Sequence, residues 1–228
     1  MLESLRNTYY RLLSAVPSEF NRYIFESLDN SERLVGLIGP RGVGKTTLML
    51  QFIKKKFKNR QSAFYFSADH IYFSTTSIFD FVQSLYEMEA IRFFFIDEVH
   101  KHSNWVQELK NIYDSFPDIH IMFSGSSSID LSRGSYDLSR RAIIRRLHGL
   151  SFREYLNVTM DAKYPVLSLN RLLHNSPEEL ADYIEIPGLK GKFKKYIEGG
   201  YYPFFLEGSD LYHEKLGSII NKTISSSN

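Results

Sequence analysis

A glycine-rich segment at positions 39–46 (GPRGVGKT) has the residue types and spacing that bind phosphate. An apolar run precedes it at 34–38 and apolar residues with helical spacing follow it, which predicts a strand, a loop and a helix N-terminus. Such a helix start is an anion site, and glycine lets backbone amides approach phosphate oxygens. Lys45 would reach the β- and γ-phosphates, and the Thr46 hydroxyl would bind Mg²⁺. A plain glycine-rich turn is the alternative. The predicted nucleotide-binding residues are Gly39, Pro40, Arg41, Gly42, Val43, Gly44, Lys45, Thr46 and Thr47.

Two adjacent carboxylates, Asp97 and Glu98, end the apolar run at 93–96 (FFFI). Open α/β sheets bind ligands at the C-terminal edge of their strands, so both carboxylates are expected beside bound phosphate. Asp97 would hold Mg²⁺ together with Thr46. Glu98, on the opposite side of the backbone, would polarise a water for attack on the γ-phosphate. A plain strand terminus is the alternative.

The chain between the glycine-rich segment and the acidic pair is long enough for one helix–strand–helix unit at 62–90. This arrangement implies an extra strand between the strand that precedes the loop and the strand that carries the acidic pair. The sequence therefore predicts that the two motifs lie at the same edge of the sheet, on strands that are separated by one further strand.

A serine-rich strand end and a group of arginines are further candidates. Ser124 or Ser126, in the segment MFSGSSS, could orient the attacking water, although such a sequence is also an ordinary flexible turn. An arginine placed at the transition state accelerates phosphoryl transfer by about 10³–10⁵-fold. Arg140 and Arg141 precede the fifth predicted strand and are preferred for this role, with surface solvation as the alternative. The full set of candidate arginines is Arg133, Arg140, Arg141, Arg145 and Arg146.

Composition limits the class of protein. The chain has 228 residues, of which 43% are hydrophobic, which is enough for one substantial core and a small second unit. Its formal net charge of +2 is only a weak indication of nucleic-acid binding. It has no cysteine, which excludes disulfides and thiolate zinc sites and suits a reducing cytoplasm. No apolar run approaches membrane-spanning length, so we expect a cytoplasmic protein with no membrane partner.

The elements that must position these residues alternate between strands and helices. Near-continuous apolar strands separated by amphipathic helices predict a parallel sheet covered on both faces. We therefore expect an α/β fold with a five-stranded, mainly parallel sheet over residues 1–150. Residues 151–228 are expected to form a helical lid and linker, and residues 2–30 also have a helical, amphipathic pattern. The predicted strands cover 33–38, 62–66, 92–96, 119–123 and 142–147.

Several segments together resemble the AAA+ type P-loop ATPases (the ASCE class) of bacteria and archaea. The resemblance is to the group whose ATPase module precedes a C-terminal nuclease-like domain of unassigned role. A segment similar to that group's helical linker is YIEGGYYP at 196–203. The segments that carry the resemblance in the ATPase module are GPRGVGKTT, FFFIDEVH followed by NWVQELKNIYD, IMFSGSSS and LSRRAIIRRLHGLSFREYL.

The resemblance implies ATP or ADP with Mg²⁺ as the ligands, and a homo-oligomer or a partner domain that supplies or receives an arginine. It also implies a role for each matched residue: Lys45 and Thr46 contact phosphate and Mg²⁺, Asp97 binds Mg²⁺, Glu98 is the catalytic base, Ser124 is the sensor, and Arg141 contributes the arginine.

Two departures from the family pattern matter. The family usually has glycine before that arginine, where this chain has Arg140, so the choice between the two arginines stays open. Family members also continue beyond the linker, so we expect this chain to be truncated.

Three functions are compatible with these observations. The leading hypothesis is an Mg²⁺-dependent ATPase whose turnover drives a conformational change or assembly. The second is a nucleotide-dependent switch with little turnover. The third and weaker is a DNA-associated ATPase, which depends on a modestly basic pI of 8.6 and on a basic run that is better explained as a solvated helix face. That run consists of Lys190, Lys192, Lys194 and Lys195.

Overall fold

A five-stranded parallel sheet forms the centre of the chain, as the sequence predicts. The computed structural model describes residues 2–29, 31–59, 62–126, 138, 140–174, 176, 186–208 and 212–225. Its strands are β1 (Leu34–Ile38), β2 (Ala63–Ser67), β3 (Phe93–Asp97), β4 (His120–Gly125) and β5 (Ile143–Arg146). The sheet order is β2-β3-β4-β1-β5, and the neighbouring pairs are parallel.

A strand does lie between β1 and β3, and it is β4. The strand from the intervening 62–90 segment, β2, lies instead at the edge of the sheet beyond β3. Because the strands are parallel, their C-terminal ends share one edge of the sheet, which we call the C-terminal edge. The glycine-rich loop after β1, the acidic pair at the end of β3 and Ser124 near the end of β4 all lie there.

Helices pack on both faces of the sheet, since alternate residues of each strand point to opposite sides. On one face, Phe66 of β2 contacts Phe81 with ring centroids 5.0 Å apart. On the other face, Phe52 contacts Phe95 of β3 at 6.1 Å. The helices of this part of the chain are α1 (Leu2–Ala15), α2 (Lys45–Lys56), α3 (Ile78–Glu89) and α4 (Trp105–Ser115).

The N-terminal helix is shorter than the sequence pattern suggested. α1 ends at Ala15, and the next helical segment is a short 3₁₀ turn at Phe25–Ser27, so the expectation of helix over 2–30 was wrong for its second half. The physical reason is Pro17, which disfavours helical backbone at the residue before it and has no N–H to donate.

The chain divides into two compact units, with Met1–His148 and Thr223–Asn228 in the first and Gly149–Lys222 in the second, so that the last helix ends in the first unit. The described residues of the second unit contain helices and no strand. Its first helix begins with a capping box, in which the Ser151 side chain accepts from the Glu154 N–H and the Glu154 carboxylate accepts from the Ser151 N–H. Its helices are α5 (Phe152–Thr159), α6 (Leu169–His174), α7 (Leu189–Gly199) and α8 (Tyr212–Ser225). In the part of the chain that is described, no helix has the length and hydropathy to cross a membrane.

Candidate functional site

The glycine-rich loop is fixed between the two strands that flank β1. The Gly39 N–H donates to the Gly125 carbonyl of β4 at 3.3 Å, and the Leu147 N–H donates to the Ile38 carbonyl at 2.8 Å. A Cβ at Gly39 would lie 2.2 Å from the Leu147 carbonyl oxygen, so no larger residue fits. The loop therefore leaves β1 against the backbone of β5.

The loop ends in a left-handed turn at Gly44, directly before α2. Gly44 is the N-cap of α2 with φ 94°, a conformation that glycine adopts without strain, and no side chain caps the helix there. The first-turn N–H groups of α2 thus have no side-chain acceptor from the N-cap residue. This is the arrangement in which a helix N-terminus binds an anion.

Lys45 is buried at the start of α2 with 5% of its surface exposed. Its Nζ donates to the Gly39 carbonyl at 2.9 Å and the Pro40 carbonyl at 3.1 Å, both in the loop itself. Burial lowers the pKa of the Lys45 ammonium, while the nearby Glu98 and Asp97 carboxylates oppose that shift. A desolvated cation enclosed by its own loop favours an anionic ligand, because phosphate oxygens compensate the charge better than carbonyl dipoles do.

Asp97 is the centre of a buried hydrogen-bond network at the end of β3. The Thr46 hydroxyl donates to Asp97 Oδ2 at 2.6 Å, and the Ser124 hydroxyl donates to Oδ1. The Glu98 N–H donates to the Ser124 Oγ at 3.0 Å. Asp97 is 3% exposed and Ser124 is fully buried. The structure therefore brings together the predicted residues of the loop, the acidic pair and the serine-rich strand end.

The donor set at Asp97 and Thr46 suits Mg²⁺. One carboxylate and one hydroxyl are hard oxygen ligands, and Mg²⁺ in nucleotide sites is usually held by one or two protein oxygens together with phosphate oxygens and water. Among the described residues, no group of three or more His, Cys, Asp or Glu side chains is arranged to hold a metal ion. The residues present fit a metal that arrives with a nucleotide.

Glu98 has a left-handed backbone conformation, with φ 53° and ψ 40°. This conformation is uncommon for a residue other than glycine and is enriched at functional sites. His100 Nε2 lies 3.4 Å from Glu98 Oε2, and burial lowers the pKa of the His100 ring. The Glu98 N–H thus belongs to the network around Asp97, while its carboxylate lies beside His100.

The predicted arginines lie in two places. Arg140 and Arg141 precede β5 and so lie at the N-terminal edge of the sheet. The Arg141 guanidinium makes a bidentate contact with Asp114 of α4, with Nε 2.9 Å from Oδ1 and Nη2 3.0 Å from Oδ2. Five residues of β1, about 16 Å of strand, separate that edge from the loop. Neither arginine is brought to the loop of its own chain.

The other arginine and serine candidates have different positions. Arg145 and Arg146 are the last residues of β5 and pair in register with Leu37 and Ile38, next to the loop. Ser126 directly follows β4, and Arg133 lies outside the described residues.

Two residues at the site were missed by sequence reasoning. The Tyr65 hydroxyl donates to Asp97 Oδ2 at 2.9 Å, and burial together with the Asp97 carboxylate raises the pKa of Tyr65, so it remains a proton donor. Arg22 is 6% exposed and donates to the Val43 carbonyl of the loop and to the His148 carbonyl, both at 2.7 Å. The only signal for Tyr65 was a polar group in an aromatic strand, and Arg22 lies in a segment with no motif.

The fold and the site together define a P-loop NTPase of the AAA type. The strand order, the glycine-rich loop between β1 and α2, and the acidic pair after the strand two places from β1 are the features that carry this conclusion. Residues 31–156 match the family described as an AAA domain. This match covers more than half of the chain, and the chain belongs to that family.

Comparison with known proteins identifies a relative and several solved structures. The uncharacterized protein MJ1637 of Methanocaldococcus jannaschii is 31% identical over 211 residues, which cover 86% of this chain and 44% of that protein. The chain thus spans less than half the length of this relative. Similar solved structures include PCH-2 of C. elegans (TM-score 0.39, 18% identity, 68% of this chain and 45% of that one). They also include AMPPCP-bound DnaA from Aquifex aeolicus (TM-score 0.42, 15% identity, 85% and 66%).

Proposed function

We propose that this chain binds ATP with Mg²⁺ and hydrolyses it, and that turnover drives a conformational change or assembly. The observation that carries the proposal is the meeting of Lys45, Thr46, Asp97 and Ser124 at one edge of the sheet. These residues supply a phosphate-facing cation, two hard oxygen ligands and a hydroxyl. ATP rather than GTP follows from the family, whose members are ATPases.

The loop and Lys45 would bind the phosphates of the nucleotide. Phosphate oxygens would replace the Gly39 and Pro40 carbonyls as the acceptors of Lys45 Nζ, and would accept from the uncapped N–H groups of α2. Pro40, Arg41, Val43 and Thr47 would contribute backbone or side-chain contacts as part of the same segment.

Thr46 and Asp97 would hold Mg²⁺, which supplies charge stabilisation at the phosphates when it is bound. Ser124 would act as the sensor, because its hydroxyl joins the Asp97 carboxylate to the Glu98 backbone. A change at the metal would in this way reach the residue proposed as base.

Glu98 would accept the proton of the attacking water. Its carboxylate is 33% exposed, its Oε2 lies 3.4 Å from His100 Nε2, and the buried Lys45 ammonium is close by. A partly exposed carboxylate at this edge of the sheet can be reached by water, and a carboxylate placed beside a water is the kind of group that acts as a general base. The expected contribution of such a base is about 10²–10⁴-fold in rate.

Arg141, or its neighbour Arg140, would act on the site of another copy of the chain or of a partner domain. Its position at the N-terminal edge of the sheet, bound to Asp114, supports action between chains rather than within one. An assembly in which the N-terminal edge of one copy faces the loop of the next would complete the site. We further propose that residues 151–228 serve as a helical lid and linker.

A nucleotide-dependent switch is the second candidate. The observation that favours it is the same distance between Arg141 and the loop, because an isolated chain would bind ATP but lack an arginine at the transition state. The DNA-associated alternative stays a prediction, and Lys190, Lys194 and Lys195 are exposed on α7 as a solvated face would be.

Binding and turnover can be tested separately. Lys45→Ala should abolish the thermal stabilisation by ATP, which for the parent chain is about 2.7 kcal/mol at a hundredfold excess over Kd. Glu98→Gln should keep that stabilisation and lose about 10²-fold or more of phosphate release. Glu89→Gln is the matched control, since Glu89 pairs with Arg6 at the end of α3. ATP affinity that survives Lys45→Ala would contradict the loop assignment, and turnover that survives Glu98→Gln would contradict the base.

A further inference from the structure

The Tyr65 hydroxyl is the one polar group in the interior of an otherwise apolar strand. β2 reads Ala-Phe-Tyr-Phe-Ser, and Tyr65 is 4% exposed. Its ring lies 6.3 Å from the Tyr9 ring, a contact that a phenylalanine would make equally well. Packing therefore accounts for the ring and not for the hydroxyl.

The hydroxyl reaches a residue that is not directly opposite Tyr65. In the register of β2 and β3, Tyr65 pairs with Phe95 and Ser67 pairs with Asp97. The phenol extends along the strand toward the C-terminal edge and donates diagonally to Asp97 Oδ2 at 2.9 Å. This distance is that of a full hydrogen bond, and bonds to an ionised carboxylate are about twice as strong as neutral ones.

Asp97 Oδ2 is also the oxygen that accepts from Thr46, at 2.6 Å. Oδ1 is occupied by the Ser124 hydroxyl and the Glu98 N–H, the latter at 3.2 Å. Donors from β2, α2 and β4 thus bind both oxygens, which fixes the rotation of the carboxylate about its Cβ–Cγ bond. Bound Mg²⁺ would be ligated by the Thr46 hydroxyl, which now donates to Asp97 Oδ2. The hydrogen bond from Tyr65 to the same oxygen would remain.

We propose that Tyr65 is a positioning residue for the metal site: its hydroxyl holds the Asp97 carboxylate in the orientation that receives Mg²⁺ with the nucleotide. This inference rests on the proposed function, since it assigns a residue to the Mg²⁺ site of that function. In this role Tyr65 acts only through Asp97, and we assign it no contact with phosphate. Partners that orient a metal ligand typically contribute 10–100-fold in metal affinity.

The test measures Mg²⁺ affinity without turnover. AMPPCP binding is titrated calorimetrically in EDTA and at increasing Mg²⁺ for the parent chain and for Tyr65→Phe. We expect the same affinity in EDTA, because the loop is untouched, and an approximately 10-fold higher Mg²⁺ concentration for half of the Mg²⁺-dependent gain. Tyr86→Phe is the matched control, because it removes a tyrosine–aspartate hydrogen bond, to Asp118 at 2.7 Å, at the N-terminal edge of the sheet.

A double-mutant cycle separates positioning from packing. In an Asp97→Asn background, Tyr65→Phe should cause no further shift in the Mg²⁺ titration, because the two residues act through one carboxylate. A lower melting temperature for Tyr65→Phe with an unchanged Mg²⁺ titration would overturn the inference and leave the proposed function intact. No Mg²⁺-dependent gain in the parent chain would overturn both.

Discussion

Aspartates lie at both edges of the sheet, but the side chains that bind them differ. At the C-terminal edge, Thr46, Tyr65 and Ser124 donate to the single carboxylate of Asp97, which is 3% exposed. At the N-terminal edge, two carboxylates are each bound by an arginine. Asp114 is bound by Arg141 and Asp118 by Arg92, and their side chains are 44% and 54% exposed.

The difference shows how a ligand site can be told from a structural cluster. Separate, half-exposed ion pairs neutralise themselves and contribute little to stability. A buried carboxylate whose side-chain partners are neutral hydroxyls has no cation in contact with it, and a metal ion can bind there. Lys45 nearby, itself buried, is correspondingly ready for an anion. A nucleotide with its metal supplies both charges.

Replacing Arg141 is expected to have the largest effect on turnover. If the N-terminal edge of one copy completes the C-terminal edge of another, turnover by the parent chain should rise with chain concentration. Arg141→Ala should then lower the plateau rate by about 10³-fold, because the arginine that stabilises the transition state is lost. Phosphate release measured across chain concentrations checks this.

A mixing experiment identifies the edge that fails. Lys45→Ala has an intact Arg141, and Arg141→Ala has an intact loop, so a mixture of the two inactive variants should regain turnover. Arg92→Ala, which removes another arginine of the same edge, should be active alone. Arg140→Ala decides between the two adjacent arginines. Parent-like turnover in both Arg140→Ala and Arg141→Ala would assign the N-terminal edge a purely structural role.

The second prediction uses two arginines that make equivalent contacts at the two edges. Arg22 donates to the Val43 and His148 carbonyls, and Arg33 donates to the Tyr113 and Phe116 carbonyls at 2.7 and 2.8 Å. Replacing either with methionine should lower the melting temperature, since hydrogen bonds from a charged group contribute about 1.5–3 kcal/mol each.

The two variants should differ in nucleotide affinity. Only Arg22 holds the phosphate loop, so Arg22→Met should weaken AMPPCP binding by about 10-fold, equivalent to about 1.4 kcal/mol, at a temperature where the variant is folded. Arg33→Met should bind like the parent chain. Equal affinities in the two variants would mean that the loop keeps its shape without Arg22, and the contrast between the edges would then not extend to their arginines.

Sequence reasoning reached the strands and the motif residues because both depend on local pattern. Each predicted strand is within about two residues of the observed one, since apolar runs such as 93–96 end where polar residues begin. Ser124 and Asp97 could be expected at one edge for the same reason. Their contact additionally needs β3 beside β4, a pairing set by tertiary structure.

The residues that sequence reasoning missed depend on register and on distant backbone. Tyr65 reaches Asp97 only because Ser67 pairs with Asp97, and a one-residue slip would point the ring to the other face of the sheet. Arg22 binds carbonyls 21 and 126 positions away in the chain. The contact between Arg141 and Asp114 depends on where α4 packs, and the sequence around Arg141 does not indicate that position.

The smallest expected effect is at the N-terminal edge and depends on pH. The hydrogen bond from Tyr86, and then the Arg92 guanidinium, hold the pKa of Asp118 below its ordinary value. A carboxyl whose pKa is lower in the folded than in the unfolded chain stabilises the fold fully above its unfolded pKa, and this stabilisation is lost as pH falls through the folded pKa. Asp118→Asn should therefore narrow the difference in stability between neutral and acidic pH, as measured by urea unfolding from pH 7 down to about pH 3. Because Asp118 is far from the loop, AMPPCP affinity at pH 7 should be unchanged. A change in that affinity would show that the two edges are coupled in the absence of assembly.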